Sequence, residues 1–202
     1  MRIRPPKFVE RMFPTFIWTF PDETDTIFLT FDDGPTPDIT PWIVDKLKEY
    51  DAKATFFCLG KNVEQHPQEF KLIKESGHAV GNHTYSHQKG WGMSTGSYIQ
   101  DIDLADNYIK SHLFRPPYGQ IKPAQARVLS ERYKIIMWDV LSLDYSANIS
   151  RRKCANMVIS GSRSGSIIVF HDSLKSARNM KYALPKVLDH FASKNWKTKI
   201  IE

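Results

Sequence analysis

The sequence predicts one α/β domain with a parallel sheet closed as a barrel, and three observations carry that prediction. Short apolar or β-branched runs alternate with segments of helical period through roughly seven β/α units, the rhythm of a parallel sheet. The 202 residues contain no long linker, low-complexity tract or recognisable repeat, and that length fits a single domain with a full core. Asp32-Asp33, His83, Arg115, Asp139 and His171 each fall just past the expected C-terminal end of a strand, where a β/α barrel assembles its site from separate loops. An open doubly wound sheet would gather such groups at one switch point.

The first strand is Thr26–Phe31, and Thr36 with Pro37 reads as the N-cap and first-turn proline of a helix reaching Tyr50. Ala54–Leu59 supplies the next strand. A helix opens at Pro67, turns Phe70 and Ile73 inward, and stops near Gly77, a residue free to adopt the positive φ of a C-terminal cap. A short strand, His78–Gly81, follows. The alternation continues with a helix over Ser97–Lys110, a strand at Leu113-Phe114, a helix over Pro123–Arg132 and a strand over Lys134–Trp138. Ser150 caps a helix through Ile159, Ser166–Phe170 is a strongly β-branched strand, a helix covers Tyr182–Ala192, and Thr198–Ile201 closes the chain. Residues 1–25 are then an N-terminal extension packed on a barrel of residues 26–202.

Composition excludes several classes. Two cysteines, Cys58 inside an apolar run and Cys154 within a helix, give no disulfide framework and read as core thiols. The net charge of +6 comes from basic residues that form no long run, so the surface reads as solvated and not as one built for nucleic acid. No run approaches the ~18 apolar residues of a membrane span. Met1–Pro6 is basic, but the apolar stretch after it is broken by Pro14 and lacks a small-residue cleavage pattern, so it reads as a poor signal peptide. Cytoplasm and cell envelope both stay open, as does the oligomeric state.

His83 and His87 stand at i and i+4, a spacing that puts both imidazoles on one face of a helical turn and within reach of one ion. A carboxylate from Asp32-Asp33 completes a three-ligand set, and three ligands leave open the position where a catalytic zinc holds its water. Consecutive strand residues face opposite ways, so both acids serve one site only where the strand is already turning, as Gly34-Pro35 permits. That allows Asp33 as ligand and Asp32 as base; a base is needed there because no glutamate stands between the two histidines. Arg115-Pro116-Pro117-Tyr118-Gly119 is a rigid turn able to aim a backbone N–H at a developing oxyanion while its arginine pairs with a carboxylate. His171-Asp172 follows a strand, and a histidine there can protonate a leaving amine near neutral pH. His66, His78, His112 and His190 lack such context and read as packing or surface residues. Trp91, Trp138 and Tyr145 read equally as packing residues or as surfaces on which a sugar stacks.

Taken in order, Thr30–Pro35, His83–His87, Arg115–Gly119, Trp138–Tyr145 and Ile168–Asp172 resemble the five motifs of the polysaccharide deacetylase family, carbohydrate esterase family 4, over Thr26–Ile201. The resemblance implies a distorted (β/α)7 barrel and one divalent metal ion, zinc first, on Asp33, His83 and His87. It places Asp32 on the family's base, His171 on its acid and Arg115 on the arginine that steadies the base. Tyr118 falls on the residue whose backbone N–H supports the oxyanion, and Asp144 on the acid that orients the histidine, with Asp139 as an alternative. Tyr145 departs from the family, which often has tryptophan there, and changes the apolar wall beside the acetyl group or sugar. The implied activity is metal-dependent removal of N-acetyl groups from an amino-sugar polymer or oligomer, chitin-like or peptidoglycan, with release of acetate. O-acetyl esterase action on a xylan-like polysaccharide and a catalytically silent carbohydrate-binding module are the rival readings. A silent module needs neither Asp32 nor His171, and both are present.

Overall fold

Seven residues uncharged until the last, Thr26–Asp32 (β1), make a strand that is buried along its whole length, as a strand covered on both faces must be. Parallel to it run β2 (Ala54–Cys58) on one side and β7 (Ile167–His171) on the other. Beyond β2 follow β3 (Ala79–Asn82), β4 (Leu113–Phe114) and β5 (Lys134–Ile135), and beyond β7 lies β6 (Val140–Leu141). The computed structural model describes residues 4–202, and in it this path, β5-β4-β3-β2-β1-β7-β6, forms a distorted (β/α)7 barrel. A short β8 (Lys197–Thr198) adds beside the start of β1. Phe31 stacks between Phe56 and Phe170, with ring centroids 5.1 and 6.0 Å away, so three neighbouring strands share one buried aromatic layer.

The helices are α1 (Lys7–Met12), α2 (Thr40–Glu49), α3 (Gly60–Gln65), α4 (Pro67–Glu75), α5 (Thr95–Ile109), α6 (Pro123–Leu129), α7 (Arg151–Gly161) and α8 (Ala177–Ser193). Ser150 caps α7 as expected, its hydroxyl accepting from Lys153 N–H, and Gly77 sits past α4 with a φ of +73°. Both cysteines are free and buried. Among the described residues no helix is long and apolar enough to cross a membrane.

The structure corrects several expectations. Thr36 does not cap α2: its hydroxyl donates to the carbonyl of Asp172 and its N–H to Thr40 Oγ1, so the helix begins at Thr40 with Pro41 in its first turn. The expected strand Lys134–Trp138 is divided, because one extended stretch changes partner along its length. Ile136 N–H donates to Phe114 O, and Asp139 N–H already donates to Ile167 O on the other edge of the sheet. Asp139 therefore stands before β6 and not past the end of a strand. Helices α1 and α3 lie where no helix was expected, and α8 starts earlier, at Ala177.

Chain from the N-terminal extension fills the place where that stretch crosses. Phe16 and Trp18 are buried, Ile17 exchanges backbone bonds with Ile135 and Met137, and Phe20 N–H donates to Gly165 O. Gly165 has a φ of +78° and a Cβ there would lie 2.0 Å from Phe20 O, so only glycine admits the approach. Residues 1–3 of the extension lie outside the described residues.

Candidate active site

The C-terminal end of β1 turns abruptly. Asp32 closes the strand, and Asp33 enters the left-handed region with a φ of 79°, which breaks the alternation and lets both acids line one cleft. Gly34 is required next: a Cβ on it would sit 2.2 Å from Asp172 Oδ2. Asn62 Nδ2 donates to Asp33 O (2.7 Å), and Asp172 N–H donates to Asp32 O (2.7 Å), so the turn is tied on both sides.

Asp32 pairs with a wholly buried arginine. Arg115 Nη1 donates to Asp32 Oδ1 (2.7 Å) and to Thr30 Oγ1 (2.7 Å), Nε to Ile136 O (3.1 Å) and Nη2 to Met137 O (2.9 Å). The guanidinium also lies 4.0 Å from the Phe57 ring centroid, a stacking that a lysine could not reproduce. A buried charge is tolerable when its donors are met in this way.

Asp33, His83 and His87 offer ligand atoms that all lie within 4.8 Å of one another. Asp33 Oδ1 is 3.1 Å from His87 Nε2 and 3.6 Å from His83 Nε2, yet this buried oxygen makes no hydrogen bond. His83 Nδ1 lies 2.7 Å from the carbonyl of Arg115, an acceptor only, so the ring proton belongs on Nδ1 and the lone pair of Nε2 faces Asp33. Burial, aided by the like charge of His87, pushes His83 down to about 4 against the pull of Asp32 and Asp33. Burial opposes ionisation of Asp33, but the neighbouring His87, His171 and His83 outweigh it and hold its carboxyl well below the usual range. A neutral imidazole and an ionised carboxylate are the forms that bind a divalent ion.

The two histidines meet by a different route from the helical turn expected. Residues 83–87 form an irregular loop in which Thr84 (φ 69°) and His87 (φ 61°) are left-handed, with Thr84 Oγ1 accepting from His87 N–H (3.0 Å). A β-branched residue at positive φ is strained, by roughly 1–3 kcal/mol, and such strain clusters at functional sites.

On the other side of β1, His171 ends β7. Its Nδ1 lies 2.7 Å from Asp144 Oδ1, and its backbone N–H donates to Asp144 Oδ2 (2.8 Å). Burial works against the imidazolium, but the Asp144 charge and hydrogen bond prevail, with smaller pulls from Asp33 and Asp32, and push His171 up to about 9. Asp139, the alternative orienting acid, is engaged elsewhere: it accepts from Ser166 Oγ (2.6 Å) and Arg163 Nη2 (3.1 Å), where the chain enters β7.

Tyr118 is left-handed (φ 59°) and lines the cleft, its ring 4.7 Å from His87; Tyr145 stands edge-on to His171 at 4.9 Å. Trp138 also lines this cleft of about 340 Å³, whereas Trp91 is exposed outside it and donates to Ile121 O. Of the other histidines, His78 is buried against Phe56 and accepts from Ala54 N–H, and His112 is on the surface.

Sequence reasoning missed three residues that support the site. Asp172, fully buried, accepts from Thr40 and is pushed up to about 7 by that burial. Asn179 Nδ2 donates to Asp144 O (2.9 Å), and Asn62 holds the Asp33 turn. Asp172 adjoined His171 and could have been flagged. The asparagines gave no signal, since their partners are 35 and 29 residues away.

The family model described as Polysaccharide deacetylase matches residues 21–133. Two peptidoglycan-N-acetylglucosamine deacetylases of Bacillus cereus are similar to the chain: one is 37% identical over 73% of this chain and 56% of its own length, the other 32% identical over 89% and 88%. This chain thus spans little more than half of the first relative. Among solved structures, a peptidoglycan N-acetylglucosamine deacetylase in complex with 4-naphthalen-1-yl-N-oxidanyl-benzamide superposes with a TM-score of 0.89 at 31% identity, covering 98% of this chain and 94% of that one.

Proposed function

The chain belongs to the polysaccharide deacetylase family, and from that premise we propose that it is a metal-dependent hydrolase that removes N-acetyl groups from an amino-sugar polymer or oligomer, releasing acetate. One observation carries the proposal: the Asp33, His83 and His87 cluster, an aspartate paired with Arg115 and a histidine paired with Asp144 converge on one cleft from the ends of β1 and β7 and the loops after β1 and β3. A binding module would have no use for a paired base and acid. The names of the relatives point to N-acetylglucosamine in peptidoglycan as the substrate class.

Asp33, His83 and His87 would hold the ion, and the orphaned buried oxygen of Asp33 facing two imidazole nitrogens fits that role. One carboxylate and two imidazoles suit zinc, which when bound polarises a carbonyl oxygen and acidifies water. The remaining chemistry belongs to the chain. Arg115 occupies Asp32 Oδ1, which leaves Oδ2 to take a proton from the attacking water. The Tyr118 N–H, directed by its left-handed backbone, donates to the oxyanion of the tetrahedral intermediate. His171, with Nδ1 held by Asp144, presents Nε2–H to the departing nitrogen. The C–N bond breaks, the amine leaves protonated, and acetate remains.

Acetate release tests this directly, across defined N-acetylated and O-acetylated oligosaccharides with zinc-loaded and metal-stripped protein. The expected result is N-deacetylation that requires the metal. Equal turnover by stripped protein, with metal content verified by elemental analysis, or release from O-acetyl substrates alone, would overturn the proposal.

A further inference from the structure

The positive charge of this chain is not evenly spread. Residues 151–202 carry eleven Lys or Arg against three Asp or Glu, whereas residues 1–150 carry seventeen against nineteen. The whole excess therefore lies in α7, β7, α8 and the tail, beside the loop that leads from His171 into α8.

Two lysines lie against rings that line the cleft. Lys175, on that loop, lines the cleft and places its ammonium 5.6 Å from the centre of the Tyr145 ring. Lys89 places its own 5.0 Å from the centre of the Tyr118 ring. Both are exposed, and among the described residues neither has a carboxylate partner. The two tyrosines adjoin His171 and His87 respectively, so each lysine sits one aromatic ring outward from the reacting groups, on opposite sides of β1. Among the described residues the carboxylates lining the cleft are Asp32 and Asp33, and both face inward partners, Arg115 and the histidine pair. The mouth is thus positive, with an aromatic face beneath each cation.

That pairing has a specific chemistry. An ammonium held over an aromatic ring beside a sugar-binding cleft is positioned by that ring and can take a carboxylate carried by the sugar or its substituent. A neutral N-acetylglucosamine polymer would leave both cations idle. We infer that the cleft selects an N-acetylated glycan bearing carboxylates beside the reacting amino sugar, with Lys175 as its principal specificity determinant and Lys89 as its counterpart. This rests on the deacetylase reading and adds the acidic character of the substrate.

Three tetrasaccharides test it with the zinc-loaded enzyme: alternating N-acetylglucosamine and N-acetylmuramic acid with free lactyl carboxylates, the same compound with those carboxylates methylamidated, and N-acetylchitotetraose. An exposed ion pair changes an equilibrium by about 2–5-fold, so kcat/KM for the acid should exceed that for the amide by roughly that factor per lysine engaged. Lys175→Ala should bring the acid-to-amide ratio towards one, and Lys175→Glu should invert it. Added salt should depress kcat/KM on the acid but not on the amide, since pairs and steering at the surface are screened within about 8 Å at 0.15 M. Equal kcat/KM on acid and amide, or an acid-to-amide ratio untouched in Lys175→Glu, would overturn charge selection alone. No acetate from any of the three would overturn the deacetylase reading and this inference with it.

Discussion

Asp144→Asn isolates the electrostatic half of the proposed acid. The substitution keeps the shape of a side chain that is almost wholly buried and holds His171 at two points, but it removes the charge that raises the imidazolium. Burial lowers His171 and only the smaller pulls of Asp33 and Asp32 remain without Asp144, so its value should fall from about 9 towards the unperturbed value of about 6.5. At pH 8 the protonated fraction then drops from about 0.9 towards about 0.03, a loss approaching roughly 30-fold in kcat/KM from protonation alone. The alkaline limb of the pH profile should move down by about two units, and the deficit should narrow towards pH 6. Stability carries the same signature with a definite sign. A group raised on folding stabilises the native state fully below its unfolded value and loses that contribution as pH rises through about 9, so urea unfolding of the wild type should weaken by roughly 3 kcal/mol more than the variant between pH 6 and 10. An alkaline limb that stays near 9 in Asp144→Asn would refute the reasoning, because the proton on His171 would not depend on the charge beside it.

His87→Ala and Asp33→Asn should lose zinc binding by isothermal titration, whereas Asp32→Asn should keep the metal and lose about 10²–10⁴-fold in kcat; the reverse pattern would exchange the two aspartates. Arg115→Met leaves the Asp32 carboxylate buried without its partner and should cost roughly 3–5 kcal/mol in urea unfolding at pH 7. An unfolding free energy within 1 kcal/mol of wild type, by the same estimate, would mean that water reaches Asp32. Gly34→Ala forces a methyl group against Asp172 Oδ2 and should lower stability by about 1–3 kcal/mol, lowering Tm by several degrees in a scanning calorimeter.

The alternation of strands and helices was legible because the barrel strands are buried on both faces, so Thr26–Phe31 and Ile167–Phe170 appear as unbroken apolar or β-branched runs. Site residues were legible for the same reason: polar groups stand out at the ends of such runs. What escaped was set by contacts distant in sequence. Thr36 looks like a cap, and only the carbonyl of Asp172, on β7, draws its hydroxyl away. The spacing of His83 and His87 is helical, yet positive φ at Thr84 and His87 brings the rings together through a loop, which no periodicity encodes. Asp139 was misplaced because Lys134–Trp138 reads as a single strand, whereas the stretch from Lys134 to Leu141 serves two edges of the sheet in turn.

That divided stretch explains more than the misplacement. Where it leaves β4 and has not yet joined β7, Ile136 and Met137 have no strand partner for their carbonyls within the sheet. Those two carbonyls accept from Nε and Nη2 of Arg115, the guanidinium whose remaining nitrogen holds Asp32. A regular seventh strand would spend both carbonyls on its own ladder, and a buried arginine without acceptors is not sustainable there. The distortion of the barrel and the counter-ion of the proposed base are therefore one feature. A substitution that regularised the crossing would be expected to act on Asp32 through Arg115.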